Sequence, residues 1–414
     1  MQDKDYALSE VPSSARKSLS SLIWVLCGFT FFTATMFAGG GVGAALPLSD
    51  VISVMAIGYG LLATYAILIG LISYKTGLNT VLLSRYSFGD KGSKIVDFLL
   101  GFTQIGWYAW GTAVIAKVLI AMTPDALGFT IPDSMLYPMM VFFGFAFSYT
   151  AYKGYRGLAL LSIVSVPLML LFVGVSLYTA TIDANAKGGI ASLMPGTGNM
   201  TWDIAITMAF GTFASGATQV SNWTRFASSS KNVIVAVLFA FFFGNALMFF
   251  TGAFGASVYG KPDVVDVLLL QGFPLMALLM LFLNLWTTQD NASYNFAVAG
   301  CNFVRSDNRQ KMTIVGAVIG TVLALMGADV FLFGWLIMLG TFIPPVGGII
   351  MADYVARSGS YAKLASAKNA DLCAVGLTAY VVGSACAYYS PMLSPLVGIA
   401  VSFIVYVGLY KIKK

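Results

Sequence analysis

The sequence of 414 residues contains no histidine, and only 10% of its residues are charged. Without histidine, zinc sites of the HExxH kind and histidine proton relays are excluded. The four cysteines stand singly, which suits small apolar side chains better than a disulfide framework or a metal cluster. The sequence has no GxxxxGK[ST] phosphate loop, so we do not expect ATP to drive the protein. It offers no recognisable pair of nucleophile and base either, and we expect no enzyme activity.

Hydrophobic residues make up 58% of the chain, a share that the surface of a water-soluble globule could not tolerate. Apolar stretches of roughly 17 to 25 residues recur, and each can cross about 30 Å of hydrocarbon as a helix. We therefore predict an all-α integral membrane protein with twelve transmembrane helices. These helices are predicted near residues 20–45, 51–73, 95–122, 135–152, 158–182, 202–222, 233–258, 273–300, 313–327, 330–354, 371–389 and 394–411.

Lysine and arginine are distributed unevenly between the predicted loops. Loops on the cytoplasmic side of a membrane keep an excess of these residues. Basic residues occupy alternate loops, at positions 16–17, 75–94, 153–156, 225–231, 305–311, 357–368 and 411–414. The other loops contain only Lys187 and Lys261. We therefore predict that both termini are cytoplasmic, and we attribute the net charge of +6 to topology and not to nucleic-acid binding. Residues 1–18 lack an apolar h-region, so we expect no signal peptide.

Two predicted helices contain residues that interrupt a regular helix. The first carries threonines within 33–35 and glycines at 39–41, and the sixth carries the glycine-containing run 211–216 at its middle. They occupy matching positions in two halves of five helices, and an odd number of spans leaves the halves in opposite orientations. Interrupted helices at matching positions of inverted repeats are typical of transporters that bind substrate at mid-membrane. The alternative is that the glycines allow close helix packing.

The eighth predicted helix contains a run of polar residues, 284–291, inside an otherwise apolar stretch. Polar groups inside a membrane are costly and usually mark function. Asn284, Thr287, Thr288 and Asn291 share one helical face, at spacings i, i+3, i+4 and i+7. Amide, hydroxyl and carbonyl oxygens are ligands that suit a hard cation such as sodium. The alternative for this face is hydrogen bonding between helices.

Gln104 and Trp107 lie on one side of the third predicted helix, at spacing i, i+3. Trp107 is about 18 Å along this helix, near mid-depth and away from the interfacial belt where tryptophan is usually found. Phe213, in the interruption of the sixth helix, reaches a comparable depth. Two opposed rings could hold a planar heterocycle by stacking, and the Gln104 amide could read its hydrogen-bonding edge. Alternatively, the rings only fill a core.

Asp290 is the only acid that the predicted map places deep in a helix. It is either the protonation site of a proton-coupled carrier or a neutral, structural group. Asp97, Asp203 and Asp353 lie near predicted helix ends, where solvation is easy. We predict structural roles for these three acids.

Several motifs, in their order along the chain, resemble those of the bacterial cytosine permeases within the nucleobase and cation symporters. The resemblance runs over essentially the whole sequence. Its motifs are Val11-Pro12 followed by Ser14-Ala15-Arg16-Lys17, Phe31-Phe32, Arg85-Tyr86-Ser87-Phe88-Gly89, Gln104-Ile105-Gly106-Trp107, the run 284–291, and Ile343-Pro344-Pro345-Val346-Gly347-Gly348 leading to Asp353-Tyr354. Each motif is weak alone, but together and in order they are specific.

The resemblance implies the leucine-transporter type of fold, with five plus five inverted helices and two more at the end. On this division, residues 1–18 form a cytoplasmic tail, 19–182 the first repeat, 183–357 the second repeat, and 358–414 the two C-terminal helices. It further implies a monomer in the bacterial inner membrane that imports cytosine together with sodium by alternating access.

Site residues are also implied by the matching motifs. The residues implied to contact the base are Gln104, Trp107, Phe213, Ser215, Gly216 and Gln289, with the base stacked between the two aromatic rings. The family pattern has Asn where this chain has Gln289, whose longer amide could still reach the base. The residues implied to bind sodium are Phe29 and Phe32, through backbone carbonyls, together with Asn284, Thr287 and Thr288.

Two other functions stay open. The first is a proton-coupled nucleobase or hydantoin carrier that uses Asp290, and the second is a channel. The aromatic pair predicted at mid-depth argues against an open pore, because large rings would obstruct it.

Overall fold

The computed structural model describes residues 6–193, 196–367 and 369–413. Within these residues every regular element is a helix, and a single isolated β-bridge joins Lys17 to Ala227. The all-α prediction is confirmed. Helices suit this apolar sequence because each one satisfies its own backbone hydrogen bonds without help from water.

The helices are numbered in chain order. Those before residue 190 are α1 (Leu19–Thr30), α2 (Thr33–Ala45), α3 (Leu48–Thr76), α4 (Thr80–Phe88), α5 (Ser93–Leu127), α6 (Leu136–Ala146), α7 (Ser148–Tyr152) and α8 (Tyr155–Ala186). Those that follow are α9 (Trp202–Gly211), α10 (Ala214–Thr218), α11 (Ser221–Thr224), α12 (Ser230–Val237), α13 (Asn245–Tyr259), α14 (Val264–Leu270), α15 (Pro274–Val304), α16 (Arg309–Leu325), α17 (Leu332–Phe342), α18 (Pro344–Ala356), α19 (Ala374–Tyr389) and α20 (Ser394–Lys413). A π-helical stretch, Leu238–Gly244, joins α12 to α13.

Seven continuous helical stretches in the described part of the chain are long and apolar enough to cross a membrane. They are Leu48–Thr76, Ser93–Leu127, Asp133–Tyr152, Tyr155–Ala186, Ser230–Tyr259, Asp329–Ala356 and Ser394–Ile412. The pair α1 and α2 reaches that length only together, across a bend of 53°. Helix α15 is long enough, at 31 residues, but carries the polar run 284–291. Helices α16 and α19 are shorter, with 17 and 16 residues.

The bend between α1 and α2 lies at Phe31 and Phe32, whose backbone is extended. Helix α2 begins directly after them, so residues 33–35 and 39–41, where the sequence predicted the interruption, are helical. The first segment is therefore broken, as predicted, but at an earlier position. The glycines serve close packing, the alternative left open above: a Cβ at Gly39 would lie 2.0 Å from a backbone oxygen of α13.

The sixth segment is interrupted where the sequence predicts. Helix α9 ends at Gly211 and α10 begins at Ala214, with the Phe213 backbone outside the helical region. A second interruption follows at Gln219 and Val220, before α11. The prediction of a broken sixth segment is confirmed, and its inner part is more irregular than expected.

Helix packing places the two broken segments beside two long, close-packed helices. Helix α15 lies along α5, and α2 lies along α13. Glycines allow α2 and α13 to approach closely. A Cβ at Gly252 would lie 1.9 Å from the Met36 carbonyl oxygen, and a Cβ at Gly43 would lie 2.4 Å from the Ala253 carbonyl oxygen. The last two helices pack against each other, and α20 also packs on α18.

Two of the acids that we expected to be solvated at helix ends are buried. Asp97 is 2% exposed and accepts a hydrogen bond from Asn302 Nδ2 at 2.5 Å. Asp353 is fully buried and accepts hydrogen bonds from Arg357 Nε at 2.8 Å and Tyr406 OH at 2.7 Å. The expectation of easy solvation is wrong for both carboxylates, because protein donors replace water there.

Candidate functional site

A cavity lies where the breaks of segments one and six face α5 and α15. Its free volume is small, about 10 Å³. It is lined by Phe29, Phe32, Gln104, Trp107, Thr212, Phe213, Ser215, Gly216, Thr288 and Ala292. A free volume of that size is room for about one water molecule, so the residues around the cavity must move before it can admit an organic ligand.

Aromatic rings form much of the cavity wall. The Phe32 ring contacts Trp107 at 5.2 Å and Phe213 at 5.8 Å between centroids, edge-on in both cases. Trp107 and Phe213, which the sequence predicts as an opposed pair, therefore line one cavity, and the Phe32 ring bridges them. The wall is therefore aromatic and apolar, and the Phe32 ring already contacts both of the other rings.

Polar groups line the cavity beside these rings. Gln104 Nε2 donates a hydrogen bond to Ser215 Oγ at 3.2 Å, and both side chains are 1% exposed. Gly216 follows Ser215, and a Cβ there would lie 2.7 Å from the Phe29 ring. The glycine thus lets the ring approach the broken backbone. An amide and a hydroxyl are the kind of groups that fix the orientation of a small ligand in an apolar pocket.

Backbone oxygens from the break in segment one meet Thr288 of α15. The Thr288 hydroxyl lies 3.4 Å from the Phe29 carbonyl oxygen and 3.2 Å from that of Phe31. The Phe32 carbonyl instead accepts the Thr35 N–H, at 3.0 Å, in the first turn of α2. Sequence reasoning named the carbonyls near Phe29 and Phe32 and missed that of Phe31. The Phe31-Phe32 motif was the only signal in the sequence, and two apolar residues do not by themselves indicate that a helix ends there.

The other polar residues on the predicted face of α15 separate into two groups. Asn284 Oδ1 accepts a hydrogen bond from Thr33 Oγ1, at 2.7 Å, and so reaches the start of α2. The Thr287 hydroxyl donates to the carbonyls of Leu283 and Asn284 in its own helix, at 3.0 and 3.1 Å. The structure therefore brings Asn284 and Thr288 to segment one, while the Thr287 side chain turns toward its own backbone.

Gln289 does not line the cavity. Its amide Nε2 donates to the backbone carbonyls of Trp107 at 3.1 Å and Tyr108 at 2.7 Å. Gly111 makes room for it, since a Cβ there would lie 2.0 Å from Nε2. At about 100° per residue, Gln289 is turned from the Thr288 face toward α5. In this structure Gln289 therefore contacts the helix that carries Trp107, and its contact with a ligand stays a prediction.

Asp290 also lies outside the cavity lining. It is fully buried, and its Oδ1 accepts a hydrogen bond from Asn291 Nδ2 at 3.0 Å. Helix α15 packs against α7 as well as α5. Asp290 contacts Thr150 of α7 and is not among the residues that line the cavity with Trp107 and Thr288.

The chain matches, over residues 10–371, the family described as permease for cytosine/purines, uracil, thiamine, allantoin. It is 34% identical over 407 residues to the cytosine permease of Escherichia coli (strain K12), a match that covers 98% of this chain and 94% of that protein. The chain belongs to this permease family. The permease is therefore a multi-pass membrane transporter and not an enzyme.

The permease has more distant relatives too. It is 24% identical over 390 residues to the allantoin permease of Bacillus subtilis (strain 168), which covers 82% of this chain and 78% of that one. Among solved structures it is similar to Mhp1, a nucleobase-cation-symport-1 family transporter, in a closed conformation with bromovinylhydantoin bound. That likeness has a TM-score of 0.86 at 19% identity and covers 97% of this chain and 94% of the other. It establishes a shared fold.

Proposed function

We propose that the permease is a secondary active symporter that imports cytosine with sodium by alternating access. The observation that carries the proposal is the cavity at the two broken segments, where Trp107 and Phe213 share a wall with the Gln104–Ser215 hydrogen bond. The name of the Escherichia coli relative supports cytosine as the substrate.

The cavity chemistry suits a flat, polar-edged ring. In this proposal the base stacks between Trp107 and Phe213, after the Phe32 ring moves from the space between them. Stacking of a base on an aromatic side chain is worth about 1–3 kcal/mol. Gln104 and Ser215 contact the edge of the base, near the exposed backbone at Gly216. Gln289 acts indirectly, by holding the α5 backbone at Trp107.

Sodium is proposed to bind between segment one and α15. The carbonyl oxygens of Phe29 and Phe31 and the Thr288 hydroxyl already converge there, and oxygen ligands of this kind suit a hard cation. Asn284 supports the same junction through Thr33. Bound sodium would hold the backbone at the break in segment one in place. It would thereby fix the position of Phe29, which lines the cavity. The Phe32 carbonyl and the Thr287 hydroxyl form hydrogen bonds within their own helices, so the proposed site does not use them.

The proposed architecture has twelve spans in the bacterial inner membrane, with both termini in the cytoplasm. Two inverted repeats, 19–182 and 183–357, would each begin with a broken segment, α1 with α2 and α9 to α11. Residues 1–18 would form the tail, and α19 and α20, within 358–414, would be the added helices. The permease is proposed to act as a monomer.

The test is cytosine binding to the purified permease in sodium and in choline at the same ionic strength. Sodium should raise cytosine affinity, and cytosine should raise sodium affinity by the same factor, because coupling between two ligands is reciprocal. Equal cytosine affinity in the two salts would contradict sodium coupling. A thermal-stability panel of nucleobases, hydantoins and amino acids, each with and without sodium, would rank the substrates, since a ligand of the folded state raises apparent stability.

The matched variants for this test are Trp107→Ala and Trp110→Ala. Both tryptophans are 4% exposed and contact Phe32, but only Trp107 lines the cavity. Trp107→Ala should lose about 1–3 kcal/mol of cytosine binding, while Trp110→Ala should lose much less. Equal losses in the two variants would remove Trp107 from the proposed site.

A further inference from the structure

Three buried amide side chains, Gln219, Asn222 and Asn295, lie next to the cavity on the side of the ends predicted to be cytoplasmic. Gln219 follows the cavity residue Ser215 by four positions, and its N–H donates to the Ser215 carbonyl at 3.0 Å. Asn295 follows the cavity residue Ala292 by three positions in α15. Both amides therefore lie about one helical turn beyond the cavity, on the helix faces that line it.

Most polar atoms of these amides lack hydrogen-bond partners. Asn222 Nδ2 donates to Asn295 Oδ1 at 2.7 Å. Among the described residues, nothing pairs with the donors Gln219 Nε2 and Asn295 Nδ2, or with the acceptors Gln219 Oε1 and Asn222 Oδ1. All three side chains are fully buried. A buried polar atom without a partner costs about 1–3 kcal/mol, so an unpaired set of four calls for a ligand or water.

The Phe29 ring links the cavity to Trp223, the neighbour of Asn222 in this amide cluster, which consists of Gln219, Asn222 and Asn295. Phe29 lines the cavity, and its ring contacts Phe213 at 5.1 Å and Trp223 at 4.8 Å. Trp223 adjoins Asn222 in α11. Rotation of the Phe29 ring, or movement of α1, would open the cavity to the amides.

We propose that the amide cluster is a second, weaker binding site for the nucleobase, occupied after the base leaves the cavity. This inference rests on the proposed transport of a nucleobase. The edge of a base carries both donors and acceptors, and the cluster offers two of each. A base edge can use both the amide nitrogens and the amide oxygens, whereas a cation would use only the oxygens. Without a stacking pair of its own, the cluster binds more weakly than the cavity and so favours release.

The test uses Gln219→Met and Asn295→Leu, which keep side-chain volume and remove the amide. Ser293→Ala is the control, because Ser293 is equally buried and also unpaired among the described residues, but lies about 200° around α15 from Asn295. Equilibrium binding of cytosine to the purified protein reports on the cavity. Transport from the inner face is measured as the half-saturating cytosine concentration in inside-out membrane vesicles.

Both amide variants should bind cytosine in the cavity within about twofold of the unmodified protein. Their half-saturating concentration at the inner face should rise about tenfold, the equivalent of one lost hydrogen bond, whereas Ser293→Ala should change neither quantity. Should an amide variant fail to fold, Gln219→Asn keeps the amide on a shorter stem and should raise the inner half-saturation by a smaller factor.

Three outcomes would overturn the second site. One is an unchanged inner half-saturation in both amide variants. Another is that the variants transport cytosine more slowly at an unchanged half-saturating concentration, and transport an analogue without the exocyclic amine more slowly by the same factor. The amides would then bind only water. A third is an equal effect of Ser293→Ala. These outcomes are separate from failure of the proposed function, in which the unmodified protein itself would neither bind nor transport cytosine.

Discussion

Thr288→Val is the sharpest probe of the proposed cation site. Valine has nearly the shape of threonine but removes the hydroxyl that lies 3.4 Å from the Phe29 carbonyl oxygen and 3.2 Å from that of Phe31. A hydrogen bond to a charged group contributes about 1.5–3 kcal/mol, and we take the same range for one neutral oxygen ligand on sodium. Sodium affinity should therefore fall roughly 10- to 150-fold.

The assay is cytosine binding to the purified permease as a function of sodium concentration. In Thr288→Val the half-maximal sodium concentration should rise by that factor, and high sodium should restore most of the cytosine affinity, because the two ligands are linked. Thr287→Val is the matched control: it removes the same group from the neighbouring residue, where the hydroxyl donates only to its own helix. The control should shift the half-maximal sodium concentration by less than about threefold.

Two results would refute the reasoning. An unchanged sodium dependence in Thr288→Val would mean that no cation binds at this junction, and the site would be discarded. A shift in Thr287→Val as large as that in Thr288→Val would mean that the cation lies elsewhere on α15 and that the convergence of the Phe29 and Phe31 carbonyls is incidental.

Gly252→Ala should lower thermal stability by about 1–3 kcal/mol, because its Cβ would lie 1.9 Å from a backbone oxygen of α2; Gly174→Ala, with open space around it, is the control and should change little. Asp290→Asn should keep sodium-dependent cytosine uptake within about twofold, since Asp290 lies outside the cavity lining; uptake that follows a pH gradient without sodium, and is lost in this variant, would instead support a proton-coupled carrier. Tyr406→Phe should destabilise the fold by about 1–3 kcal/mol in thermal unfolding, because it removes a donor from the buried Asp353 carboxylate.

Much of the fold could be predicted because the lipid bilayer restricts the possible structures. Lipid demands long apolar helices, and these are visible as runs in the sequence. The interruption of segment six was visible because glycines accompany it, and Gln104, Trp107, Phe213, Ser215 and Gly216 do line one cavity. Their depth along the helices was enough to bring them together.

The remaining features depend on packing that no local pattern encodes. Segment one breaks at two phenylalanines, whose rings enter the cavity wall or the core, while the glycines after them lie in a regular helix. Gln289 adjoins the cavity residue Thr288 in sequence, yet its amide contacts the α5 backbone at Tyr108, where Gly111 leaves room for it. Asp97 is close to a helix end, but Asn302 covers it.

The contact between α2 and α13 limits how segment one can move. Where Gly39 and Gly252 bring two backbones together, no side chain is available to change rotamer and absorb a displacement. Because the contact is between backbones, α2 and α13 are expected to move together. Helix α1 packs against α8 and against the helical stretch that leads into α13, so a movement of α1 relative to α2 would be taken up at the extended residues Phe31 and Phe32.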